Sequence, residues 1–79
     1  FDFTMYPNPA NSFVNIDFGL IHGIESTIEL IDQNGRVIQS EKSVNQSLIV
    51  ELNNYSSGVY YLRIRNDKLQ KTKKLIIKN

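Results

Sequence analysis

The amino-acid sequence predicts an all-β chain folded as a seven-stranded antiparallel β-sandwich, and three observations carry that prediction. Apolar and polar residues alternate with period two along most of the chain, as in "FVNIDF" from Phe13 and "YYLRI" from Tyr60, the pattern of half-buried strands. Turn-forming clusters punctuate it at short intervals: Pro7 to Pro9, Gly19 to Gly23, Asn34-Gly35, Ser43 to Gln46, Asn53 to Gly58 and Asn66-Asp67. Apart from a few ambiguous residues between Glu41 and Gln46, no window holds helical spacing. Strands this short and this regularly spaced fit a small two-sheet sandwich.

Taken in order, the first strand runs from Phe1 to Tyr6 and stops at "YPNPA". Pro7 and Pro9 each fix φ near −65° and remove a ladder donor, so neither belongs inside a central strand. The motif is a rigid corner. The second strand, Ser12 to Phe18, turns Val14, Ile16 and Phe18 to one face and Asn15 and Asp17 to the other. The third and fourth, Ser26 to Asp32 and Arg36 to Lys42, flank Asn34-Gly35, a dipeptide suited to the two positive-φ positions of a type I′ hairpin. They are therefore expected to be antiparallel neighbours, with Ile28 and Leu30 facing inward and Thr27 and Glu29 outward.

In the fifth strand, Ser47 to Leu52, Leu48, Val50 and Leu52 share a face. The sixth, Val59 to Arg65, follows Gly58, expected to permit a tight turn, and sets Tyr60, Leu62 and Ile64 against Val59, Tyr61, Arg63 and Arg65. A tyrosine two residues before a core position of the penultimate strand has the spacing of the tyrosine corner of immunoglobulin-like sandwiches, whose hydroxyl bonds back to the chain upstream. Tyr60 followed by Leu62 fits it. The last strand, Lys71 to Lys78, places Lys73, Leu75 and Ile77 on one face and Lys74, Ile76 and Lys78 on the other.

Composition limits what such a domain can do. Seventy-nine residues support one core, since a chain of this size buries only about 60–65% of its unfolded surface. There is no cysteine, which removes disulfides, thiolate metal sites and cysteine nucleophiles. No apolar run reaches the roughly 18–20 residues needed to cross a bilayer, and "FDFTMYPNPA" lacks the basic and apolar regions of a signal peptide. The chain begins with Phe1 rather than Met, so it is expected to be one domain, residues 1–79, excised from a longer protein.

Net charge is +1, but its distribution is lopsided. Arg36 and Lys42 are the bases up to Leu62, whereas seven of the nine basic residues follow it, opposed there by Asp67. A basic end suggests a nucleic-acid or anionic contact; the lysines equally suit the blunting of an exposed edge strand. Aromatic residues do not interleave with the lysines as single-strand stacking requires, which favours edge protection and no nucleic acid.

The inventory also argues against an enzyme. His22 is the sole histidine, without a nucleophile or carboxylate at a recognisable spacing. Asp2, Asp17, Asp32 and Asp67 are isolated rather than gathered in one loop as calcium ligands would be. No cofactor or metal is expected. Asn45-Gln46-Ser47 and Asn54-Tyr55-Ser56 match the glycosylation sequon, a short pattern common by chance. Tyr6, Tyr55 and Tyr61 are candidates for a sugar-stacking row, with coverage of core edges as the plainer use.

In order and spacing, "YPNPA", "IELIDQNGRVI", "YSSGVYYLRI" and the final "KKLIIKN" resemble the type A C-terminal sorting domain of the type IX secretion system of Bacteroidetes, over about Tyr6 to Asn79. The resemblance implies an immunoglobulin-like sandwich at the C-terminus of a larger secreted protein. It implies a secretion signal: an N-terminal cargo in the same chain reaches the periplasm, outer-membrane machinery recognises the terminal domain, and a sortase removes it, with the cargo secreted or attached at the cell surface. The matching positions are Tyr6, Pro7, Asn8, Pro9 and Ala10, Gly35, Gly58 and Tyr60, and Lys73, Lys74, Leu75 and Ile76. With Ile77 and Lys78, the last group is the expected recognition strand, read by strand addition or by charge. The domain is expected to be monomeric. The competing class is a non-catalytic accessory sandwich, a glycan-binding or spacer module of a secreted enzyme.

Overall fold

The computed structural model describes residues 2–18, 24–67 and 69–79. His22 and the Gly19 to Gly23 turn lie outside the described residues. Seven strands form in chain order: β1 (Thr4–Tyr6), β2 (Phe13–Asp17), β3 (Ser26–Ile31), β4 (Val37–Ser43), β5 (Ser47–Glu51), β6 (Gly58–Arg65) and β7 (Gln70–Ile77). They build a three-stranded sheet, β1-β2-β5, and a four-stranded sheet, β4-β3-β6-β7. Every strand pair within the sheets is antiparallel. This is the immunoglobulin-like sandwich expected, with strand ends within a residue or so of those read from the alternation, except that β1 is short.

The alternation places the core between the sheets. Val14 and Ile16 of β2, Ile28 and Leu30 of β3, Val50 of β5, and Leu62 and Ile64 of β6 are buried, as are Leu75 and Ile77 of β7. Phe3 and Phe18 close the same core from beside the strands. A fully buried aliphatic side chain contributes about 1.5–3 kcal/mol, so this one cluster dominates the stabilising side of the balance. Leu48 is only partly buried, because β5 is the outer strand of its sheet.

The turn between β3 and β4 differs from the expected type I′ hairpin. Gly35, at φ +84°, is the only described residue with positive φ; Asn34 has none. The Gly35 N–H donates to the Asp32 carbonyl at 3.0 Å, and the Asp32 N–H donates to the Arg36 carbonyl at 2.9 Å. The loop is thus Gln33-Asn34-Gly35, a type I turn followed by a left-handed glycine. Asp32 favours it by accepting from the Asn34 and Arg36 N–H groups on one carboxylate oxygen. Those bonds, Arg36 first, hold the Asp32 carboxyl below its ordinary range.

Gly58 also departs from expectation. It opens β6 without positive φ, and a side chain there would meet the Tyr60 ring at an ordinary 3.7 Å. The tyrosine corner is present: the Tyr60 hydroxyl donates to the Ser56 carbonyl at 2.8 Å. That bond ties the start of β6 to the loop before it, while the Tyr60 ring lies 6.1 Å from that of Tyr55.

Candidate functional site

The two ends of the matched motif form one structure. Pro7 and Pro9 carry no N–H, and the chain leaves β1 at Tyr6, bends through two cis X–Pro bonds and arrives beside β7. Ala10 makes a parallel bridge to Ile77: its N–H donates to the Ile76 carbonyl at 2.8 Å, and its carbonyl accepts from the Lys78 N–H at 2.7 Å. Ala10 is buried. Its methyl group is small enough for the backbone to come this close to the strand.

Asn8 extends the seam with its side chain. Nδ2 donates to the Lys74 carbonyl at 3.1 Å, and Oδ1 accepts from the Ile76 N–H at 3.0 Å. An amide carries one donor and one acceptor face, as a peptide group does, so Asn8 stands in for the backbone beside a proline that has no donor. Along this edge the Lys74 carbonyl, both groups of Ile76 and the Lys78 N–H are therefore occupied. Strand addition at 74–78, one of the two expected read-out modes, meets an edge already paired by the chain's own N-terminal motif.

The recognition residues divide by parity. Leu75 and Ile77 lie in the core; their side chains hold β7 down and cannot meet a partner while the domain is folded. Lys73 shares their face and turns along the core margin. Its ammonium donates to the Phe3 carbonyl at 2.6 Å, pairs with Asp2 Oδ1 at 3.0 Å and lies 5.1 Å from the centre of the Phe3 ring. The Lys73 hydrogen bond, then the Phe3 N–H, lowers the Asp2 carboxyl from its ordinary range. Lys74, Ile76 and Lys78 are exposed. Asn79 is held too: its N–H donates to Ser57 Oγ and its Nδ2 to the Tyr55 carbonyl.

Sequence reasoning missed an ion cluster. Glu29 is 6% exposed on the outer face of β3, with Arg63 Nε at 2.7 Å and Arg65 Nε at 3.1 Å on one carboxylate oxygen. Arg63, then Arg65, holds its carboxyl below the usual glutamate range against the opposing cost of burial. The parity of all three residues was visible, but the signal needed one more step: in an immunoglobulin-like topology β3 neighbours β6. The candidate tyrosine row, by contrast, does not form. Tyr6 and Tyr61 stand on strands of different sheets, and the Tyr55 hydroxyl is spent on Gln39 at 2.7 Å.

An immunoglobulin-like sandwich whose final strand is latched by its N-terminal motif defines the class of module. Residues 4–78 match the family described as the secretion system C-terminal sorting domain. The chain belongs to that family, whose domains are the C-terminal sorting signals for type IX secretion, and so to a route of export across the outer membrane, to the cell surface or beyond. Among solved structures it is similar to PorZ, an essential bacterial surface component of the type IX secretion system of Porphyromonas gingivalis. That match has 24% identity and a TM-score of 0.76, covering 98% of this chain and 11% of the PorZ chain, and it establishes the shared fold. No curated protein matches the chain. Among the described residues no helix is long and apolar enough to cross a membrane.

Proposed function

We propose that residues 1–79 are a single, monomeric terminal handle whose outward β7 side chains are read by the outer-membrane machinery of type IX secretion. The cargo precedes it in the same chain and crosses the periplasm with it; a sortase then removes the handle, leaving the cargo secreted or attached at the surface. The handle does no chemistry of its own. The observation that carries this reading is the seam: the two ends of the family motif meet, so Lys74, Ile76 and Lys78 are presented in one fixed geometry only when the whole domain has folded. A transporter of unrelated cargos needs such a constant signal.

Deleting Lys74–Asn79 from the protein as the cell makes it is expected to abolish export, with the protein retained in the periplasm. Normal export of the shortened protein would exclude the reading. Mass spectrometry of the exported protein tests the processing step separately: loss of the domain is expected, and its retention would favour an accessory module.

A further inference from the structure

The outer face of the four-stranded sheet carries an apolar patch that the core does not explain. Ile31 is 9% exposed yet belongs to no core cluster. By parity it points away from Ile28 and Leu30, and its cross-strand partners are Val37 on β4 and Tyr61 on β6. Tyr61 in turn faces Lys74, and Val59 faces Ile76. Val37, Tyr61 and Ile76 remain 40%, 38% and 37% exposed. The patch thus spans all four strands, with an aromatic ring near its middle.

Along its strands one sign dominates. On the same face, by register, stand Lys42, Arg63, Arg65 and Lys74, followed by Lys78; among the described strand residues Glu29 is the single carboxylate, and two of the arginines occupy it. The outer face of the other sheet is the reverse. There Tyr6, Phe13 and Ile49 are exposed beside Asp17 and Glu51, with no base on its strands.

From this charge pattern we infer that the β4-β3-β6-β7 outer face, centred on Tyr61 with Val37 and Ile76 beside it, is the docking surface for a protein partner offering an apolar recess ringed by carboxylates. The inference rests on the proposed handle role and deepens it. An apolar centre with a tyrosine anchor and a polar rim is the anatomy of specific protein interfaces, and a one-signed rim steers a partner of opposite charge. The seam contributes by holding Lys74, Ile76 and Lys78 in line with the rest of the face. The signal is then a surface built from residues 31 to 78 rather than the terminal strand alone.

The test uses the full protein in its own cell. Tyr61→Glu with Ile76→Glu, and separately Lys74→Glu with Lys78→Glu, are expected to lower the exported fraction about tenfold, the equivalent of about 1.4 kcal/mol of contact. Ile49→Glu, on the acidic face, should leave export at the wild-type level. The lysine pair is exposed, so its variant tests the face even if the apolar pair lowers stability. Normal export of both face variants, with export still lost on deleting Lys74–Asn79, would overturn this inference and leave the handle role standing; normal export of the deletion would remove the handle role itself. Binding to phosphatidylglycerol vesicles that disappears in the lysine variant would overturn it in favour of an anionic membrane surface.

Discussion

Strands β7 and β5 are both outermost in their sheets, and the chain treats them oppositely. β7 has its edge closed from Lys74 to Lys78 by Asn8 and Ala10, its inward lysine tied to Asp2 and Phe3, and its outward face basic. β5 pairs only with β2 among the described residues. Leu52 and Gln46 direct backbone groups toward β2, so by alternation Ser47, Ile49 and Glu51 present theirs to the open side. Ile49 is 62% exposed there. Unpaired edges are liabilities. One edge has been given a dedicated motif, which indicates that the geometry of β7, and not merely its solubility, is what the sequence protects.

The contrast can be tested, starting with the largest effect. Leu75→Ala removes a fully buried side chain of β7 and should cost about 2–5 kcal/mol in denaturant unfolding; a cost near zero would mean β7 is not anchored as described. Asn8→Ala breaks both side-chain bonds of the seam. It should cost about 1–2 kcal/mol and speed hydrogen exchange at the Ile76 amide while leaving the β6 amides unchanged; equal acceleration in both strands would deny a local latch. Tyr60→Phe loses the bond to Ser56 and should cost about 1 kcal/mol by the same measurement.

The ion cluster adds a pH signature. Because the folded Glu29 carboxyl is held below the ordinary value of 4.5, its contribution is complete above that pH. It is lost as the pH falls from 4.5 through the folded value, since the unfolded chain takes up the proton first. Thermal unfolding of wild type should show that acid limb, and Glu29→Gln should flatten it. The smallest effect belongs to β5: Ile49→Lys should shift stability by under about 0.5 kcal/mol yet slow aggregation, because a lysine blunts an open edge. A large loss of stability would show that the β5 face is already covered.

Much of this was legible in the alternation. The inward sets on β2, β3 and β6 follow from parity, because it is local and one face of each sheet is dry. On β7 parity separates two faces but does not say which is inward, and Leu75 and Ile77, expected among the recognition residues, are core. The tyrosine corner was legible from the spacing of Tyr60 and Leu62. The turn type was not, since Asn-Gly serves a type I′ hairpin as well as a three-residue loop, and the Asp32 carboxylate decides between them through bonds the dipeptide does not encode. The roles of Asn8 and Glu29 were hidden for a different reason. Asn8 acts on Lys74 and Ile76, and Glu29 on Arg63 and Arg65, across separations that only the strand order brings together. "YPNPA" and "KKLIIKN" were both noticed, but nothing in either string says that one clasps the other.

The clasp joins positions 68 residues apart, so it is the last part of the domain to become possible as the chain is made. A domain interrupted within β7 loses the Leu75 and Ile77 core contacts together with the latch. The latched form is therefore a property of the whole domain, and a receptor that required it would read both ends of the motif at once.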